Sequence, residues 1–306
     1  MYDVIVIGSG AAGYTATIYS CRAGRRTLLV GGSVSGGQLM LTSDVENFPG
    51  FPDAVLGPEL MEKLRKQAEK FGPDMLYDDV SEVDFKSRSF EVTVGGKKHH
   101  GKAVVIATGA NAKWLGLPSE TRLRGKGVSS CATCDGFFFK EKDVVVVGGG
   151  DTAMEEATFL ANIVKKVTVI HRREKLRASQ ILQDRAMKNP KINFIWDSAV
   201  EEVLGDTKVT GVRIKNLKTG RDSSLKNEGV FVAIGYEPNT SIFKGQVELD
   251  RAGYIITKHE TETNIPGVFA AGDVRDFRYR QAVTAASDGC KAAMDADRFV
   301  SEHYKA

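Results

Sequence analysis

Tyr2-Asp3-Val4-Ile5-Val6-Ile7 runs straight into Gly8-Ser9-Gly10-Ala11-Ala12-Gly13. A short apolar run of β-branched residues reads as a buried strand, and the glycines that follow read as a tight turn. A helical pattern then passes through Tyr14 and Ile18 to Ala23 and stops at Gly24, after which Thr27-Leu28-Leu29-Val30 reads as a second parallel strand. Strand, G-x-G-x-x-G, helix and strand in this order form a dinucleotide-binding βαβ unit. The first glycine permits the turn and the second lets a pyrophosphate approach the backbone. The third lets helix and sheet pack closely, and the helix N-terminus faces the phosphates. One position departs from the pattern. The second strand, which ends in an acid where a ribose is to be held, here ends Val30-Gly31-Gly32-Ser33.

The plan then recurs. Asp143-Val144-Val145-Val146-Val147 is followed by Gly148-Gly149-Gly150-Asp151-Thr152-Ala153, a helical pattern from Met154 to Ala161, and the strand Val167-Thr168-Val169-Ile170. Each copy continues into a meander, Val80 to Val94 and Val200 to Ile214, and closes on a strand, Ala103 to Gly109 and Gly229 to Gly235. Two copies of one order carry more weight than either motif alone. The fold class expected is α/β, with two Rossmann-like three-layer dinucleotide-binding domains. The segment from Gly253 repeats nothing in the second copy. It contains a polar, strand-like stretch to Thr263, an apolar strand ending Gly272-Asp273, and a final helix opening at Arg280-Gln281-Ala282-Val283. It is read as returning to complete the first domain. That domain is therefore discontinuous, residues 1–114 with 244–306, and the second spans 115–243, with Leu115-Gly116-Leu117-Pro118 as a linker. Residues 35–52 are too rich in Gly and Pro for regular structure and are expected to form a functional loop.

The second strand of the second copy ends Ile170-His171-Arg172-Arg173, with Arg177 beyond it. Arginine forks bind phosphate in bidentate fashion, and at this position they read as recognition of a 2′-phosphate, hence NADPH. The alternative is a solvated basic helix start diluted by Glu174. The first site then takes FAD or a second nicotinamide.

Between the copies stands Ser129-Ser130-Cys131-Ala132-Thr133-Cys134-Asp135-Gly136, with two of the chain's four cysteines. The C-x-x-C spacing lets the sulfurs close a small, reversible disulfide ring, and a thiolate so placed reacts by disulfide exchange. Hydride from NADPH arrives as an electron pair that must leave through a thiolate, and a flavin is the mediator for that step. Asp135 could carry protons for the thiols or the flavin, or it could cap a helix beginning there. Half of a zinc site is the other reading of the cysteines, but further Cys or His at ligand spacing are absent nearby, so no metal is expected. Cys21 and Cys290 lie in helical patterns and are read as buried small apolar residues.

The 306 residues carry a net charge of +3, with 42% hydrophobic and 26% charged residues. That balance is ordinary for a globular protein and gives no support to nucleic acid or an anionic membrane as partner. No apolar run approaches the ~18 residues of a membrane span. The N-terminus lacks a basic region followed by an apolar one, so a cytoplasmic location is expected.

These motifs together resemble the low-molecular-weight thioredoxin reductases over essentially the whole chain. Cys131-Ala132-Thr133-Cys134-Asp135-Gly136 is the most specific. Gly36-Gly37-Gln38-Leu39, Val45-Glu46-Asn47-Phe48-Pro49-Gly50, Ala107-Thr108-Gly109-Ala110 and Gly272-Asp273-Val274 with Arg280-Gln281-Ala282 add to it. The resemblance implies a homodimer that takes a hydride from NADPH to FAD and on to the Cys131–Cys134 disulfide, followed by dithiol-disulfide exchange with oxidised thioredoxin. A related FAD-dependent dithiol oxidase, or a reductase of another small disulfide, is the alternative. Cys134 would face the flavin, Cys131 would attack thioredoxin, and Asp135 would be the acid/base. FAD would lie against Gly8, Ser9, Gly10, Ala11, Ala12 and Gly13, the Gly31, Gly32, Gly36, Gly37, Gln38 and Leu39 loop, Asn47, Thr108 and Gly109, and Gly272, Asp273, Val274, Arg280, Gln281 and Ala282. NADPH would lie against Gly148, Gly150, Asp151, Thr152 and Ala153, then His171, Arg172, Arg173 and Arg177, with Ile234 and Gly235. What holds the adenosine ribose of FAD, given Gly31, is left unassigned.

Overall fold

The computed structural model describes residues 1–42 and 44–304. The chain divides into two compact units, Met1–Asn111 with Glu237–Ala306, and Ala112–Tyr236. Both divisions fall a few residues before the expected boundaries, for a packing reason. Trp114, Leu115 and Leu117 pack on the core of the second unit, and the N–H groups of Leu115 and Gly116 donate to the buried Glu120 carboxylate at 2.8 and 3.0 Å. Leu115 to Pro118 is therefore fastened to the second unit. Phe243, fully buried, belongs to the core of the first. Lys305 and Ala306 of the expected first domain lie outside the described residues.

In the first unit a seven-stranded sheet runs in the order Asp74–Leu76, Thr27–Val30, Tyr2–Ile7, Lys97–Ile106, Phe90–Val94, Val80–Asp84, with Val268–Ala270 added alongside Lys97–Ile106. Tyr2–Ile7 lies parallel to both neighbours. Such a strand is covered on both faces, which is why its sequence is a continuous apolar run. Val4 and Val6 face one core with the helices Ala11–Arg22 and Ala282–His303. Ile5 and Ile7 face the other, with Val92, Phe90 and Phe243. The two helices meet closely, for a Cβ on Gly289 would overlap the Ala12 carbonyl oxygen. The strand expected from Ala103 begins at Lys97, because its first half pairs antiparallel with Phe90–Val94 across the Gly95-Gly96 turn.

Two expectations change here. The 35–52 segment holds a 3-10 helix, Gly37–Leu41, and a two-residue strand, Asp44–Val45, paired with Val55–Leu56. Between Gly253 and Thr263, single bridges such as Lys258 to Glu262 stand in place of a strand, because positive φ at His259 (44°) and Glu260 (72°) turns the chain back on itself.

In the second unit a wholly parallel five-stranded sheet runs Val128–Ser129, Gly229–Val232, Asp143–Val147, Lys166–Ile170, Ile192–Ile195. Asp151–Ala161 crosses between its third and fourth strands. An antiparallel meander, Ser198–Leu204, Gly211–Asn216 and Asp222–Lys226, follows. Among the described residues no helix is long and apolar enough to cross a membrane.

Candidate nucleotide sites and redox centre

The two glycine turns are built from matching backbone bonds. Gly8 N–H donates to Val30 O at 2.8 Å, and Gly148 N–H to Ile170 O at 3.1 Å. Ala107 N–H donates to Ile7 O at 2.7 Å, and Ala233 N–H to Val147 O at 2.9 Å. The first glycine of each turn has positive φ, 111° at Gly8 and 157° at Gly148, and a Cβ on it would overlap the carbonyl oxygen of Ala107 or Ala233. The third position differs. A Cβ on Gly13 would overlap the Gly8 carbonyl, whereas Ala153 carries its methyl. The middle glycines, Gly10 and Gly150, have nothing within 4 Å of an added Cβ. Each turn is thus sealed on its sheet side and open over the helix N-terminus, a cradle that a pyrophosphate fits.

Around the first turn, side chains far apart in sequence converge. Ser9 Oγ donates to Gly31 O at 2.6 Å and accepts from Gly36 N–H at 3.0 Å, which ties the turn to the 31–38 loop. Gln38 Nε2 donates to Asn111 Oδ1 (2.8 Å) and Asn111 Nδ2 to Asn239 Oδ1 (3.0 Å). Asn239 in turn exchanges bonds with Thr108, whose Oγ1 donates to Asn239 O at 2.8 Å. Gln38 and Thr108 were expected; Asn111 and Asn239, which link them, carry no motif of their own. Asn47 Nδ2 donates to Gln281 Oε1 at 3.3 Å. Gln281 and Thr284 form a capping box at the start of the Ala282–His303 helix.

Asp273 lies in a 3-10 turn, Gly272–Val274, rather than at a strand end. Its carboxyl is pushed up to about 7, by desolvation first and then by Asp276 and Asp288, against the pull of Arg280. A second pair missed in sequence steadies this turn. The buried Asp288 Oδ2 accepts from Gly272 N–H at 3.2 Å and from Arg275 Nη1 at 2.9 Å. Nothing local in the sequence marks it, since the partners sit on different elements.

In the second unit Arg172, Arg173 and Arg177 are exposed, at the end of the second strand. His171 is not. Its ring is buried beneath Gly149, where an added Cβ would overlap it, and its Nε2 lies 3.0 Å from Lys175 O. Burial is the first cause that holds the imidazole below its usual range, and the three arginines add to it. His171 supports the turn from below, while the arginines face outward. Gly149 O accepts from Arg177 N–H at 2.7 Å and from Ala178 N–H at 3.2 Å, and Asp151 Oδ1 accepts from Ser179 N–H at 2.6 Å. Ile234 and Gly235 follow Gly229–Val232 as Thr108 and Gly109 follow Lys97–Ile106; Gly109 and Gly235 share positive φ, 69° and 104°.

Cys131 and Cys134 form a disulfide with sulfurs 2.04 Å apart. Cys131 precedes the one-turn helix Ala132–Asp135, and Cys134 is exposed within it. Asp135 makes no side-chain cap bond at the helical turns here, so the capping role is not the one it takes. Burial raises its carboxyl pKa, opposed by a hydrogen bond from Ser129. Among the described residues no cluster of three or more His, Cys, Asp or Glu could hold a metal ion. Cys21 and Cys290 are half-buried rather than enclosed.

The comparisons with known proteins agree with this geometry. The pyridine nucleotide-disulphide oxidoreductase family matches residues 2–289. The chain belongs to that family. It is 54% identical to the thioredoxin reductase of Streptomyces coelicolor over 302 residues, 98% of this chain and 94% of that one. Two solved structures superpose closely. The thioredoxin reductase from Streptococcus pyogenes gives a TM-score of 0.94 at 44% identity, covering 99% of each chain. That from Giardia duodenalis gives 0.95 at 45%, covering 98% of this chain and 99% of its own. The family is one of FAD- and NADPH-dependent oxidoreductases.

Proposed function

We propose that the chain is an NADPH-dependent thioredoxin-disulfide reductase, with FAD on the first unit and NADPH and the Cys131–Cys134 disulfide on the second. The observation that carries the proposal is the disulfide itself. It stands on a half-buried one-turn helix that leaves Cys134 exposed, in the same unit as an arginine-flanked glycine turn. When bound, the flavin supplies the hydride-to-electron-pair chemistry that links nicotinamide to disulfide. The residues present do the rest. The open cradles at Gly10 and Gly150 orient the two pyrophosphates, and Arg172, Arg173 and Arg177 meet the 2′-phosphate. Two electrons and two protons open the disulfide to a pair of thiols. The Cys131 thiolate attacks the partner's disulfide, one partner sulfur leaves as a thiol, and Cys134 resolves the mixed disulfide to regenerate the Cys131–Cys134 bond. Asp135, its pKa raised by burial, supplies protons at the sulfurs.

The active form is proposed to be a cytoplasmic homodimer, on the strength of the family resemblance. Anaerobic titration with NADPH tests the enzyme reading. The flavin absorbance should bleach with NADPH and return on addition of oxidised thioredoxin. Bleaching by dithiols but not by NADPH would establish a dithiol oxidase instead. Light scattering at twice the chain mass tests the dimer.

A further inference from the structure

We infer that Asp79 holds the adenosine ribose of the flavin dinucleotide, in place of the carboxylate that the second strand lacks, with Ser33 fixing its orientation. The inference rests on the reading that the first unit binds FAD.

Asp74–Leu76 lies parallel to Thr27–Val30 with Leu76 opposite Val30, and Gly31 N–H donates to Leu76 O at 2.7 Å. The chains leaving both strands therefore run on side by side, and Asp79 comes alongside Ser33. Ser33 N–H donates to Asp79 Oδ1 at 2.9 Å and Ser33 Oγ to Asp79 Oδ2 at 2.8 Å. These two bonds hold the carboxyl below its usual range, so it is ionised at neutral pH. Each oxygen keeps further lone pairs, and both residues are exposed. A ribose 2′,3′-diol offers two donors spaced for one carboxylate. Gly32, with φ of 81°, leaves the flank of Oδ1 clear, for a Cβ there would stand 3.3 Å from it. The acid thus arrives at the C-terminal edge of the sheet from the neighbouring strand instead of the second one. An anion at this place accepts a free 2′-hydroxyl and repels a 2′-phosphate, so it selects for an FAD-type adenosine.

The test uses the yellow holoenzyme. FAD release after dilution, followed by the fluorescence of free flavin, should be about tenfold faster in Asp79→Ala. Exchange with an FAD analogue lacking both ribose hydroxyls supplies the second readout. Wild type should favour FAD over the analogue by about tenfold, and Asp79→Ala should not discriminate. Unchanged release overturns the inference. So does faster release with the preference intact, which would make Asp79 only a brace for the Ser33 loop. A wild-type protein that purifies without flavin overturns the FAD reading together with it.

Discussion

The turns at Gly8–Gly13 and Gly148–Ala153 share their backbone bonds and differ in what stands beside the second strand. At the first, that strand ends in glycines, and a carboxylate, Asp79, reaches Ser33 from the neighbouring strand. At the second, it ends in three exposed arginines over a buried His171. The βαβ unit fixes where a pyrophosphate sits, and the charge just past the second strand decides which nucleotide brings it. The two regions therefore tell apart what the fold supplies from what side chains supply.

The largest expected effect tests a feature that only the second unit carries. Cys134→Ser should reduce thioredoxin turnover by roughly 10³-fold or more while NADPH still bleaches the flavin. Normal turnover in stopped-flow and steady-state assays would break the assignment of the disulfide. Next comes the third glycine. Gly13→Ala forces a methyl onto the Gly8 carbonyl and should cost about 3 kcal/mol. Ala153→Gly removes a fully buried methyl and adds backbone freedom at a helix start, about 2 kcal/mol in all. Denaturant unfolding of both variants checks the asymmetry.

A smaller change sharpens the charge contrast. Arg172→Ala with Arg173→Ala should lower kcat/KM for NADPH by about 10- to 100-fold, with NADH little affected. Equal loss for both nucleotides would remove the arginines from phosphate recognition. The remaining prediction concerns Asp273. Its carboxyl titrates near 7 in the fold, well above the ordinary aspartate value of 3.8. The folded state holds this proton more tightly than the unfolded chain does, so stability falls as pH rises from the ordinary value through 7. In flavin-free protein, Asp273→Asn should raise Tm at pH 8 and leave it unchanged at pH 4, measured by calorimetry.

Much of this was legible in the sequence, for particular reasons. Both βαβ units announce themselves because the strand, turn and helix are contiguous, and each glycine answers a local steric demand. The C-x-x-C is legible for the same reason. Asp79 and Asn239 were not, because strand pairing alone brings them to Ser33 and Thr108. The Arg275–Asp288 pair was hidden likewise. His171 was legible as a position but not as an orientation. Whether a ring next to arginines points outward or under a glycine depends on the space left by Gly149. The strand read into Gly253 to Thr263 failed because polar alternation there reflects tight turns, not a pleat.

The fastening of Gly149 has a consequence for redesign. Its carbonyl is held by the N–H groups of Arg177 and Ala178, its Cα rests on His171, and the adjoining Asp151 anchors Ser179. The loop proposed to choose the nucleotide and the turn proposed to cradle it are thus fastened to each other. Transplanting the arginines alone into a relative would leave them on a loop without its anchors. Residues 148–151 and 171–179 must travel together, and cofactor preference in this fold should be inherited, or engineered, as that pair of segments.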